Sequence, residues 1–137
     1  MRTSLRLEEL AQFLLCIAAL AMNGVPWWAY VLLVIGPDIG MLGYLANARV
    51  GAITYNLFHH KGIAVLCAVA SVASEAISML AGVPTLGEAL LLGSVILYGH
   101  SSMDRALGYG LKYPDNFKHT HLGWIGKESA VGSGSRR

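Results

Sequence analysis

Four apolar runs joined by short connections leave this chain of 137 residues few ways to fold. They are Leu10 to Met22, Pro26 to Ala48, about Gly62 to Gly82, and a run that starts after Pro84-Thr85, passes Leu97 and continues helically to about Leu107. The third has roughly 20 residues, about 30 Å of helix, enough to cross the hydrocarbon of a bilayer. Hydrophobic residues make up 55% of the chain and charged residues 13%, against roughly 25% charged in an ordinary soluble domain. Lipid is itself an apolar solvent, and a backbone inside it must satisfy its own hydrogen bonds within helices. The expected fold is therefore an all-α, polytopic bundle of about four transmembrane helices. Residues 1–127 form one membrane-embedded domain, and 128–137, with Gly132-Ser-Gly-Ser-Arg-Arg137, read as a flexible tail.

Each run carries its own punctuation. The first ends at Asn23, Gly24 and Pro26. Arg2 and Arg6 before an apolar stretch resemble a signal peptide, but Glu8 and Glu9 do not belong in a positively charged leader, which favours a retained helix. The second is interrupted by Gly36-Pro37-Asp38. Proline removes a backbone donor and clashes with the preceding turn, so this helix breaks or kinks there. Gly36 and Gly40 invite a neighbouring helix to approach closely. Gly51 to His60 reads either as an extension of the third helix or as a short interfacial helix. Trp27, Trp28 and Tyr30 suit the outer interface. The polar segment beyond Gly108, with Tyr109, Tyr113, Phe117 and Trp124 among lysines, suits an amphipathic tail against the cytoplasmic face. The connections at 23–25 and 83–85 carry no lysine or arginine, whereas both ends and the second connection (Arg49, Lys61) do. Both termini are therefore expected in the cytoplasm. The net charge of +2 gives no reason to expect nucleic acid, and Cys16 and Cys67, isolated in apolar runs, read as reduced thiols.

Ionisable residues inside such runs cost roughly 2.5–3.5 kcal/mol each on insertion scales and call for a partner or a task. Asp38 falls about 18 Å down the second helix at 1.5 Å per residue, His100 lies at a comparable depth on the fourth, and Asp104 shares its face one turn on. His59 and His60 flank the inner end of the third segment, with Tyr55 and Asn56 one turn before. Imidazole and carboxylate are ligands for zinc, iron or manganese, so Asp38, His59, His100 and Asp104 are the candidate metal or acid–base residues. His121, in Lys118-His-Thr-His121, is an added ligand if the tail folds back. The plain alternative is a structural cluster: Asp38 paired with Arg105 or Arg49, and His100 bonded to a serine or a carbonyl. Neither HExxH nor a repeated ExxH occurs. Glu75, between Ser71 and Ser78 on one stripe of the third helix, suits interhelical hydrogen bonds or, alternatively, a protonatable group in a transport path.

Three stretches carry a resemblance: Gly36-Pro-Asp-Ile-Gly-Met-Leu-Gly-Tyr44, Gly51-Ala-Ile-Thr-Tyr-Asn-Leu-Phe-His59, and Asp104-Arg-Ala-Leu-Gly-Tyr-Gly-Leu-Lys-Tyr113 with Thr120-His-Leu-Gly123. Together they resemble the small bacterial membrane proteins of domain-of-unknown-function family 4260. The resemblance implies a helical fold in the bacterial cytoplasmic (inner) membrane and no particular reaction. Through it, Asp38, Tyr55, Asn56, His59, Asp104, Arg105 and His121 fall on motif positions. Pro37-Asp38 and His59-His60 are also similar to elements of membrane-embedded metal-dependent hydrolases, whose fuller Asp-x-Asp and Thr-His-Ser patterns are absent here.

Two classes of function fit these residues. One is a membrane enzyme with a cytoplasmic-side His/Asp site, using a divalent metal or proton transfer on a lipid or other apolar substrate. The other is a non-enzymatic membrane protein, a unit of an oligomeric transporter or a structural partner, whose polar cluster fixes helix packing. The bilayer is the expected partner of both, and a homo-oligomer is expected for transport, because four helices seldom enclose a path alone.

Overall fold

A computed structural model describes residues 2–126; the expected flexible tail at 128–137 lies outside them. The described residues are all-α apart from a small hairpin at the end. Five α-helices are present: α1 (Arg2–Met22), α2 (Trp27–Ile35), α3 (Ala48–His59), α4 (Lys61–Ala81) and α5 (Gly87–Leu107). A 3-10 helix, η1 (Gly36–Leu45), continues directly from α2. By length and apolarity, 27–45 and Lys61–Ala81 are each able to cross a membrane.

The interruption at Gly36-Pro37 takes the form of a change of helix type. Pro37 sits in the first turn of η1, where its missing N–H is least costly. Ten residues of 3-10 helix is an unusually long run, of the kind that marks strain or function. The stretch around 51–59 is a helix of its own. Asn47 starts it by accepting the Val50 N–H at 2.9 Å. His60 ends it in extended backbone and caps α4 by accepting the Gly62 N–H at 3.0 Å.

Close backbone contact packs α3 along η1. A Cβ at Gly40 would lie 2.8 Å from the Thr54 carbonyl oxygen, and one at Gly51 would run into the Tyr44 ring. The Thr54 hydroxyl instead donates to the Gly40 carbonyl at 2.6 Å. Gly40 thus has the close partner expected of it, whereas Gly36 meets only its own Leu32. This antiparallel pairing carries the chain back to the level of Asp38 by the time it reaches His59.

At the centre lies α5, which packs on α1, α2, α3, α4 and η1. A Cβ on its Gly99 would meet Leu33 Cδ1 at 2.6 Å and Cys16 Cβ at 2.9 Å. The interior holds few large apolar side chains, among them Leu20, Leu33 and Ile96. It also holds His59, His100, Ser71, Ser94, Ser101 and Ser102. Leu14, Leu15, Leu32, Ile35, Val69, Val72, Ile77 and Leu80 point outward. Polarity is thus partly inverted relative to a protein that folds in water.

After α5, Gly108 takes a left-handed conformation (φ 97°) and closes the helix. The following segment turns back beneath α3. A two-residue hairpin, β1 (His119–Thr120) with β2 (Gly123–Trp124), is antiparallel, and Lys112 bridges to Thr120.

Candidate metal centre

Four side chains from three elements converge beside the C-terminal half of α5. Asp38 comes from the first turn of η1, His59 from the last turn of α3, and His100 and Asp104 from one face of α5. Each offers one ligand atom, and these atoms lie within 4.8 Å of one another. The two imidazole Nε2 atoms are 3.0 Å apart. Asp38 Oδ1 lies 3.6 Å from His59 Nε2 and 3.5 Å from His100 Nε2. Asp104 approaches the same two nitrogens at 3.4 and 3.9 Å. Tetrahedral coordination with bonds of about 2.0–2.1 Å has ligand–ligand edges of about 3.3–3.4 Å, near the distances from Asp38 to both rings, while the widest separation in the group reaches up to 4.8 Å.

The ring protons can be assigned from the partners. His59 Nδ1 is 2.8 Å from the Tyr55 carbonyl oxygen, and His100 Nδ1 is 3.0 Å from that of Leu33. A carbonyl oxygen only accepts, so each Nδ1 donates its proton there. In the neutral rings both Nε2 atoms are then bare lone pairs, turned towards each other at 3.0 Å. Two lone pairs at that separation repel, and a cation between them removes the conflict. Backbone carbonyls are also the usual second partners of metal-bound histidines.

The surrounding side chains hold this geometry. The Tyr55 hydroxyl donates to Asp104 Oδ2 at 2.5 Å, and its ring stacks on His59 with centroids 3.7 Å apart. His59 is 3% exposed and His100 fully buried, whereas Asp38 is 38% exposed, so the group opens on the η1 side.

The other residues singled out by sequence take different places. Asn56 accepts the Lys112 N–H at 2.7 Å and donates to the Lys112 carbonyl at 2.9 Å, which clamps the tail under α3. His121 stays apart from the four: its Nδ1 accepts the Leu111 N–H at 2.8 Å. Much of that ring is exposed, but partial burial, then the nearby Arg105 guanidinium, hold the imidazole below its ordinary range. Arg105 pairs with Glu9 at 3.7 Å rather than with Asp38. Glu75 lies between α4 and the start of α5, where it accepts from the Thr85 hydroxyl at 2.9 Å. Ser71 donates nearby to the Gly87 carbonyl at 2.7 Å, the interhelical bonding expected of that stripe.

Sequence reasoning missed a second polar group. Lys61 pairs with Glu9 and donates to Gln12 Oε1 at 2.5 Å, and Gln12 also accepts from Tyr98 at 3.0 Å. Gln12, a polar residue one turn from Glu9 inside the first apolar run, was the available signal. Lys112, a tail lysine by sequence, is 4% exposed. Burial pushes its ammonium below the ordinary lysine range, while Asp104 and Asp38 act in the opposite sense.

Neither a curated protein nor a solved structure matches the chain. The model of a domain of unknown function, DUF4260, matches residues 2–125. This span takes in both helical partners of the His/Asp group, η1 with α3 on one side and α5 on the other. The chain belongs to the DUF4260 family.

Proposed function

We propose that the chain is a bacterial inner-membrane protein whose Asp38, His59, His100 and Asp104 bind one divalent metal, zinc, iron or manganese, for acid–base or hydrolytic chemistry. The observation that carries this reading is the pair of Nε2 lone pairs facing each other at 3.0 Å, with both Nδ1 protons committed to carbonyls. Two carboxylates beside them supply the charge that a divalent ion needs. The four residues would hold the ion. Tyr55 would orient Asp104, and the Tyr55 and Leu33 carbonyls would orient the rings. A metal held there would supply Lewis acidity and water activation. The open Asp38 side gives an approach for an apolar or lipid substrate.

The inverted polarity of the bundle and the two long apolar helical segments support membrane insertion. In this reading α1, α2 with η1, α4 and α5 cross the bilayer, α3 doubles back in its inner half, and both termini face the cytoplasm. Residues 1–127 act as one domain. Cysteine-accessibility mapping should then place the exposed Asp115 and the N-terminus on the same face, and opposite faces would refute the topology.

Elemental analysis of detergent-purified protein tests the centre. Near-stoichiometric metal is expected in the wild type and background levels in an Asp38→Ala, His100→Ala double variant. Repeated metal-free preparations that also fail to take up added zinc, iron or manganese would remove the proposal. The second reading, a non-enzymatic packing cluster in a structural or transport protein, draws on the His100 bond to the Leu33 carbonyl, which ties α5 to α2. It predicts a metal-free protein that loses stability when His100 is replaced.

A further inference from the structure

Lys112 stands where a tail residue has no structural need of an ammonium group. Its backbone is pinned on one side by both bonds of Asn56 and on the other by the bridge to Thr120. Its side chain runs into an aromatic box, with Nζ 4.1 Å from the Phe117 ring centre, 5.1 Å from that of Tyr55 and 5.9 Å from that of Tyr109. The residue is 4% exposed, and its ammonium has neither a carboxylate partner nor a hydrogen-bond acceptor among the described residues. Ring faces stabilise a cation, but they do not accept its three N–H groups as an anionic oxygen does.

An unmet buried donor lies against the same Phe117 ring. Tyr44 meets Phe117 edge-on with centroids 5.1 Å apart. Its hydroxyl is buried without a hydrogen-bond partner. Buried polar groups almost always find partners, so a buried phenol without one, beside an ammonium met only by ring faces, points to a ligand with several acceptor atoms. Tyr55 links this place to the His/Asp group, because its ring receives Lys112 and its hydroxyl binds Asp104.

Charge counting identifies the ligand class. Two carboxylates, two neutral imidazoles and a divalent ion sum to zero, and the adjacent Lys112 makes the loaded site a net cation. An anion with several oxygens restores neutrality and offers acceptors suited to both the ammonium and the phenol.

We propose that Lys112 and the Tyr44 hydroxyl form an anion subsite beside the metal centre, which takes the phosphate group of the substrate. The subsite deepens the metal-centre reading, and its role in that chemistry rests on it. Its donors belong to the chain alone, so binding can be tested with and without metal.

The experiment measures inorganic phosphate binding to detergent-purified full-length protein by calorimetry, before and after chelator treatment, with metal content determined on the same samples. Lys112→Met should weaken phosphate binding about tenfold or more, as loss of a charged hydrogen-bond donor does. Its metal content should not change, and Lys112→Arg should retain most of the affinity. Tyr44→Phe, which removes one oxygen atom, should weaken binding about threefold. Unchanged affinity in Tyr44→Phe and in Lys112→Met, or no phosphate binding by the wild type, overturns the subsite. If Lys112→Met fails to fold, Tyr44→Phe decides by the same criterion. Phosphate binding by protein that never holds metal would sink the metal reading and leave the subsite. Metal without phosphate binding would do the reverse. Competition by phosphatidate in phosphatidylcholine bilayers separates the two sources of phosphate. Displacement assigns a lipid headgroup, no displacement assigns a soluble phosphate compound, and either upholds the subsite.

Discussion

Helices α4 and α5 have the same length, 21 residues each, lie side by side and do opposite work. Most of α4 is an outward apolar surface, with Val65, Leu66, Val69, Val72, Ile77 and Leu80 exposed, and its buried residues are Ala64 and Ser71. Buried positions on α5 include Ser94, Gly99, His100, Ser101 and Ser102. The more lipid-like helix is thus the peripheral one, and the helix with more polar residues is the hub. Where lipid is the solvent, apolarity marks the surface, and polar or small residues mark the interior because they need partners that lipid cannot give. The contrast also shows why the His/Asp group belongs to α5. A helix packed on by five other elements can hold two ligands at i and i+4 against ligands from two of them, which a peripheral helix cannot do.

The largest expected effect sets paired polar substitutions on the two helices against each other. Asp38→Ala with His100→Ala should abolish metal binding in elemental analysis, whereas Ser71→Ala with Glu75→Gln on α4 should leave it unchanged. Metal loss in the α4 pair would break the division of labour. Next come single packing changes. Gly99→Val places atoms against Leu33 and Cys16 and should cost about 1–3 kcal/mol in reversible unfolding in detergent. Val72→Leu on the exposed face of α4 should stay within about 0.5 kcal/mol.

A smaller effect concerns the tail that α5 delivers. Asn56→Ala removes both side-chain bonds to the Lys112 backbone and should cost about 1–2 kcal/mol. Faster proteolysis between Gly108 and Trp124 would report it, with α4 and α5 intact. The smallest is a pH effect at His121. Its imidazole is held below the ordinary value, mainly by burial, and the neutral ring accepts the Leu111 N–H. The unfolded tail therefore takes up a proton first as pH falls. The stabilisation is fully present above about pH 6.5, the ordinary histidine value, and is lost as pH falls through the lower folded value. Trp124 fluorescence followed from pH 8 to 5 should show the tail loosening at the acid end, and His121→Gln should flatten the profile.

Much of the fold was legible in residue order. The break at Gly36-Pro37, the start of α5 after Pro84-Thr85 and its end near Leu107 follow from local rules about proline, glycine and apolar runs. The meeting of Asp38 with His100 followed from counting residues along helices that alternate in direction. His59 was harder, because its position depends on α3 folding back along η1, and that depends on Gly40 and Gly51 lying against Thr54 and Tyr44. Such backbone approach is a property of two segments together. The pairing of Glu9 with Lys61 and Gln12 is illegible for the same reason, since a charge near the end of an apolar run looks interfacial until a partner helix is placed beside it.

By itself the sequence determined the helical class, the bounds of α4 and α5, the end of α1 at Met22 (though not its start at Arg2, eight residues before the apolar run) and the residue types able to bind a metal, because propensity, proline chemistry and hydropathy act over a few neighbouring residues. Only the tertiary structure decided which histidine nitrogens face each other, that His121 stays with the tail, and that Lys112 is enclosed while Glu75 merely braces two helices. Those outcomes depend on hydrogen-bond partners far away in the chain, such as the Leu33 carbonyl for His100 and Asn56 for Lys112. Proton placement and burial are set by such partners, and local sequence does not contain them.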